Sequence, residues 1–182
     1  MTAIAASDGK LSNECLSRRF LEALGDAVVS HSDIEEKPLE VNLKSPLLPK
    51  IRAYIYNATY PPGGRAMGEH KIQLIVPGQE RNERGNFDSS DGRIPLLVGY
   101  RPDLELFMLW DADLYVDFAY SRNVQVKPET VYEGFAQGIG RQVRNLRMGE
   151  KEIVIVADRR HLSEALIERQ NETLKRLLRG VR

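Results

Sequence analysis

Residues 51–76, IRAYIYNATYPPGGRAMGEHKIQLIV, decide the fold. They read as strand, tight loop, strand. Ile51, Ala53, Ile55 and Asn57 alternate with Arg52, Tyr54 and Tyr56, the period of two of a pleated strand. Pro61-Pro62-Gly63-Gly64 ends that strand, because proline donates nothing to a ladder and glycine accepts turn geometry. Lys71, Gln73 and Ile75 then alternate with Ile72, Leu74 and Val76. One face of the second strand is therefore apolar, and the other carries a cation and an amide. A polar strand face beside a glycine-rich loop is either a solvated surface or a binding surface.

Upstream, residues 1–10 are small and polar and are expected to be disordered. Residues 11–29 read as a helix, with Leu16, Phe20, Leu24 and Val28 on one stripe and Ser12 as N-cap. Leu39, Val41 and Leu43 alternate as a short strand. Downstream, residues 77–95 form a long polar loop in which Arg81, Arg84 and Arg93 are balanced by nearby acids. Short strands follow at residues 96–100, 104–110 and 124–126. Pro128 suits the first turn of a helix whose face is Val131, Phe135, Ile139, Val143 and Leu146. Gly134, Gly138 and Gly140 imply close approach to a sheet, or a helix end near Gly138. The run at residues 152–157 reads as a central strand, and residues 159–180 as a final helix.

This pattern predicts an α+β fold: a mostly antiparallel curved sheet or partial β-barrel (a pseudobarrel), flanked by N-terminal and C-terminal helices. Residues 11–160 form the single α+β domain, and 161–182 a C-terminal basic helix. The 182 residues carry a formal net charge of zero. Residues 141–182, however, hold eleven Arg and Lys against six Asp and Glu. Such a basic quarter is either a phosphate-binding footprint or a solvated helix face. The lone Cys15 excludes a disulfide framework within the chain. No apolar run approaches the roughly 20 residues that span a bilayer, and the N-terminus lacks the pattern of a signal peptide. A cytoplasmic protein without membrane contact is expected.

Three chemistries merit comparison. His31, His70 and His161 have no metal-ligand spacing, and no nucleophilic triad is visible. Glu69 and Lys71 have the spacing that places a carboxylate and a lysine on one strand face, as metal-dependent nucleases require; Asp111, Asp113 or Asp103 can supply a second carboxylate, Asp111 first. Mg²⁺ is a cofactor only in that reading; otherwise none is expected. The third constellation is Asn57, Arg65, Lys71, Gln73, Trp110, Asp111, Ser121, Arg122, Asn123 and Gln125. Asn, Gln, Arg and Lys read base edges and phosphates, and a Trp can stack on a base. Arg81 and Arg84 in the polar loop add cations.

The motif order YIYNATYPPGGR, GEHKIQLIV, PLLVGY, LFMLWDA, SRNVQV and KEIVIVA, across residues 50–160, resembles the N-terminal DNA-recognition modules that accompany HNH-type restriction endonucleases or DNA methyltransferases. The resemblance implies a pseudobarrel reader of the SRA-like, modification-reading type. In such a reader Trp110, Asp111 and Tyr120 would line a base pocket, with Arg65, Lys71 and Arg122 on phosphates. The chain has no HNH cysteine or histidine cluster, which leaves a lone reader, a subunit of a larger assembly or a truncated chain.

The leading expectation is thus a non-enzymatic module that binds double-stranded DNA in restriction or phage defence and reads a modified base. A nuclease or methyltransferase subunit is its expected partner. The alternatives are an endonuclease using Glu69, Lys71 and Asp111, and an interaction subunit that docks, or forms a homodimer, through its terminal helices.

Overall fold

The computed structural model describes residues 9–60, 68–147 and 149–180. Ser12 caps the first helix, its hydroxyl accepting the Cys15 N–H at 3.2 Å. That helix, α1 (Asn13–Leu24), stops at Gly25, earlier than the stripe of leucines suggests. Val28 instead opens β1 (Val28–His31), which pairs with β2 (Leu39–Leu43). β3 (Lys50–Asn57), β4 (His70–Leu74), β5 (Arg84–Gly85), β6 (Ile94–Arg101), β7 (Leu106–Trp110), β8 (Phe118–Ala119) and β9 (Arg122–Val126) follow. Then come α2 (Pro128–Gln137), β10 (Ile139–Asn145), β11 (Lys151–Asp158) and α3 (Leu162–Arg179).

A seven-stranded sheet runs in the order β1-β2-β3-β6-β7-β11-β10. It is antiparallel except for β3 and β6, which pair in parallel from Ile51–Ile94 to Asn57–Tyr100. The sheet is open, with β1 and β10 at its edges, so the described residues form no closed barrel. Both faces are covered, which is why β7 (LFMLW) and most of β11 are continuously apolar rather than alternating. On one face Leu16, Phe20 and Leu24 of α1 and Leu162, Ala165 and Leu166 of α3 pack on Val41, Ile55, Val98, Phe107, Leu109 and Ile155. On the other, β4, β9 and α2 bring Ile72, Leu74, Val124, Val126 and Val131 onto Tyr54, Tyr56, Leu97, Met108, Trp110, Val154 and Val156. No helix among the described residues is long and apolar enough to cross a membrane.

The apolar spacing runs on to Leu146, but the helix takes the end near Gly138 that the glycines also offer and stops at Gln137. Gly138 has φ +88°, and a Cβ there would lie 2.4 Å from the His161 ring. A side chain is therefore excluded twice, by backbone conformation and by packing. Beyond it Ile139 and Val143 belong to β10, not to the helix face, and β10 pairs with β11 from Ile139–Ala157 to Asn145–Lys151. The polar loop is also more ordered than its composition suggests. Arg52, 6% exposed, projects from β3 and binds Glu40 Oε1 at 2.9 Å, the Ser90 carbonyl at 2.8 Å and Asp91 Oδ2 at 3.1 Å. One buried guanidinium thereby holds the end of the loop against the sheet.

Candidate nucleic-acid interface

The pairing of β4 with β9 follows from their matching alternation. Register runs His70–Val126, Lys71–Gln125, Ile72–Val124, Gln73–Asn123 and Leu74–Arg122. Ile72, Leu74, Val124 and Val126 are buried and face the sheet. Period two then forces Lys71, Gln73, Asn123 and Gln125 to the outer face, where Gln73 and Asn123 are exposed and Lys71 and Gln125 half-buried. Cross-strand pairing sets Lys71 beside Gln125 and Gln73 beside Asn123. Lys71 Nζ donates to Asn123 Oδ1 at 3.0 Å.

Several contacts hold this ribbon down. A Cβ on Gly99 of β6 would come within 2.9 Å of Ile72 and 3.0 Å of Trp110, so only glycine lets the ribbon sit this close to the sheet. Trp110 Nε1–H donates to the Gln125 carbonyl at 3.2 Å, and the Tyr56 hydroxyl to the Ile75 carbonyl at 3.0 Å. Thr59 and Lys71 exchange backbone hydrogen bonds of 2.9 and 2.8 Å, which pins the other edge of β4. At the start of β4 the buried His70 donates through Nδ1 to the Gly68 carbonyl at 2.7 Å, and its ring lies 4.5 Å from that of Tyr60. Burial holds this imidazole below its ordinary pKa, in the neutral state.

Four of the residues singled out from sequence, Lys71, Gln73, Asn123 and Gln125, are thus brought onto one surface. Arg122 is exposed at the end of the ribbon, its guanidinium 5.2 Å from the centre of the Tyr115 ring. Tyr120 and Ser121 form the turn entering β9, with Ser121 at φ +59°. Arg81 and Arg84 are exposed in the polar loop, and Arg84 donates to the Asp117 carbonyl at 3.3 Å. Arg65 lies outside the described residues. Lys127, which sequence reasoning passed over, is exposed and directly follows β9 in extended conformation. The signal is present in RNVQVK, where Asn123, Gln125 and Lys127 alternate with two valines.

The remaining residues go elsewhere. Asn57 makes a two-way amide clamp on the backbone of Leu11, with bonds of 2.8 and 2.9 Å, and so fixes the approach to α1. Trp110 is 1% exposed in the core, where its indole has no free face for a base. Asp111, 3% exposed, accepts from Arg176 Nε at 3.0 Å and lies 3.5 Å from Arg169 Nη2. Both arginines come from α3, on the face of the sheet opposite the ribbon. The fold therefore does not assemble Glu69, Lys71 and Asp111 into one centre. Among the described residues no three His, Cys, Asp or Glu side chains are grouped to hold a metal ion.

Asp111 is part of a buried ionic cluster. Its backbone N–H donates to Glu152 Oε1 at 3.0 Å. Glu152 Oε2 accepts from the Tyr115 hydroxyl at 2.7 Å and from Arg144 at 3.2 Å. Burial pushes the Glu152 carboxyl above its ordinary range, against the Tyr115 hydrogen bond and the Arg144 charge that pull it down. The carboxylate at the head of an otherwise apolar strand was the visible sequence signal for this cluster.

No curated protein and no solved structure matches the chain. One family does: Methylase-associated X1, over residues 49–166. That span runs from β3 into α3 and contains the whole β4–β9 ribbon. It covers well over half of the chain, which therefore belongs to the Methylase-associated X1 family.

Proposed function

We propose that this protein is a DNA-recognition module of a modification or restriction system, and that the outer face of the β4–β9 ribbon contacts duplex DNA. The observation that carries the reading is the row of Lys71, Gln73, Asn123 and Gln125 on one face of a two-stranded antiparallel ribbon. A ribbon of this kind fits the major groove, and Gln, Asn and Lys are side chains that hydrogen-bond base edges there. Lys127, Arg122 and Arg84 supply cations for phosphates. The family's association with methylases agrees with DNA as the shared substrate and with a methyltransferase or nuclease as partner. Phage defence and the reading of a modified base are parts of the same proposal. With Trp110 and Asp111 buried, the ribbon face, not an SRA-like pseudobarrel pocket, is where such reading would occur.

The test is a fluorescence-anisotropy titration with unmodified and base-modified duplexes at two salt concentrations, with Mg²⁺ present and the products run on a gel. Salt-sensitive binding of intact DNA is expected, weakened in Lys71→Ala. Cleavage that disappears in Glu69→Ala would replace this reading with the endonuclease.

A second observation favours self-association. Leu174, Leu177 and Leu178 of α3 are 53%, 48% and 62% exposed. Leu174 and Leu177 border a cavity of about 340 Å³ whose apolar wall includes Leu47, Leu48, Ile94 and Leu96. Ile167, Gln170, Asn171, Leu174, Leu177 and Leu178 share one helix face that carries no charge. Two copies can therefore meet there without like-charge repulsion, and a two-fold dimer would present two ribbons to two half-sites. Sedimentation should show a dimer that Leu177→Asp dissociates; a monomer at all concentrations would remove this reading. α1 does not contribute such a face, since Leu16, Phe20 and Leu24 are buried against the sheet.

A further inference from the structure

We infer that Lys71 and Asn123 form a pair of hydrogen-bond donors that selects guanine in the major groove. The inference rests on the ribbon being the DNA-contacting face, and it names the base that this face prefers.

The key observation is the 3.0 Å hydrogen bond from Lys71 Nζ to Asn123 Oδ1. An ammonium group only donates. The amide of Asn123 must therefore turn its oxygen toward Lys71, and this directs Nδ2 and its two N–H groups away from the lysine. An unconstrained carboxamide offers a donor and an acceptor side by side, the complement of adenine N7 and N6–H. In Asn123 the acceptor half already serves Lys71, and its remaining lone pair lies next to a cation, where a base N–H approaches unfavourably. What the pair offers outward is donors: the Nδ2 hydrogens of Asn123 and the remaining ammonium hydrogens of Lys71.

Guanine is the base whose major-groove edge shows two adjacent acceptors, N7 and O6. Adenine would set its N6–H, and cytosine its N4–H, against a donor. Each strand keeps its contribution in place. Lys71 sits within β4, tied on one side to Thr59 and on the other to Gln125. Asn123 sits opposite Gln73 in β9, between the exposed Arg122 and the buried Val124. Gln73 and Gln125 flank the pair and remain for neighbouring bases.

The test compares four short duplexes of one design by anisotropy: mixed-sequence G·C, the same with inosine for guanine, the same with 7-deazaguanine, and A·T only. Inosine keeps O6 and N7 but lacks the minor-groove amino group, so G·C and I·C should bind within about twofold of each other. The 7-deazaguanine and A·T duplexes should bind roughly 5- to 100-fold more weakly. Asn123→Asp replaces the outward donor with an acceptor while leaving Lys71 a partner. It should retain salt-dependent binding and lose the preference for G·C over A·T. Equal binding of G·C and A·T would overturn the inference and leave the ribbon as a DNA-binding face. So would a preference that disappears with inosine, or one that survives Asn123→Asp. Failure of every duplex to bind at low salt would overturn the DNA reading and this inference with it.

Discussion

The outer face of the β4–β9 ribbon and the cluster around Asp111 are both assembled from charged and hydrogen-bonding groups at strand ends. They differ in where those groups find partners. Asp111, Glu152, Tyr115, Arg144, Arg169 and Arg176 pair with one another inside the protein, joining β7, β10, β11 and α3. On the ribbon, Lys71 and Asn123 bond each other, and Gln73, Gln125 and Lys127 line the same outward row. Buried charge with internal partners builds the fold; the same chemistry held on a rigid, solvent-facing ribbon is available to a ligand.

The comparison breaks most visibly at Asp111. Asp111→Ala leaves two α3 arginines without their buried carboxylate, so a loss of about 3–5 kcal/mol is expected by thermal or denaturant unfolding. The DNA affinity of the protein that remains folded should be unchanged. An equal loss of DNA affinity would place Asp111 in the binding site instead.

One partly buried lysine adds a test through pH. Lys37 lies 3.7 Å over the Tyr56 ring, and burial lowers its pKa to about 8 from 10.5. Between those values the unfolded chain holds the proton that the folded chain has released. Stability therefore rises as the pH passes upward through about 8 and levels off near 10.5. The gain is on the order of 2 kcal/mol after allowance for solvent screening. Lys37→Met should abolish this rise, measured as the unfolding midpoint against pH.

The smallest effects on stability belong to the ribbon. Lys71→Ala should change unfolding free energy by no more than about 0.5 kcal/mol. It should weaken duplex binding and reduce the slope of log K against log salt by about one. A destabilised Lys71→Ala protein with normal DNA binding would reverse the assignment of the two regions.

Part of this was legible in the chain alone. HKIQL and RNVQV each show their polar face by alternation, because a strand's side chains divide between two faces whatever it pairs with. Their pairing across 50 residues was not legible, since nothing local encodes a long-range register. Trp110 and Asp111 looked like a site because an aromatic residue followed by an acid at a strand end is chemically versatile. Only the packing of α3 on one face and the ribbon on the other shows that both are enclosed. β10 hid behind the helical spacing of Ile139 and Val143, which a strand after a glycine terminus accommodates equally well. The mostly antiparallel sheet was foreseen; the parallel β3–β6 pair depends on a long crossover that residue patterns do not specify.

The most direct measurement is the change in backbone amide NMR signals when a short duplex is added to the isotope-labelled 20.6 kDa protein. Changes concentrated at residues 70–74 and 122–127, with Asp111 and Glu152 unmoved, are the expected result. Changes confined to the C-terminal half of α3, or none at low salt, would contradict the ribbon as the DNA-binding face.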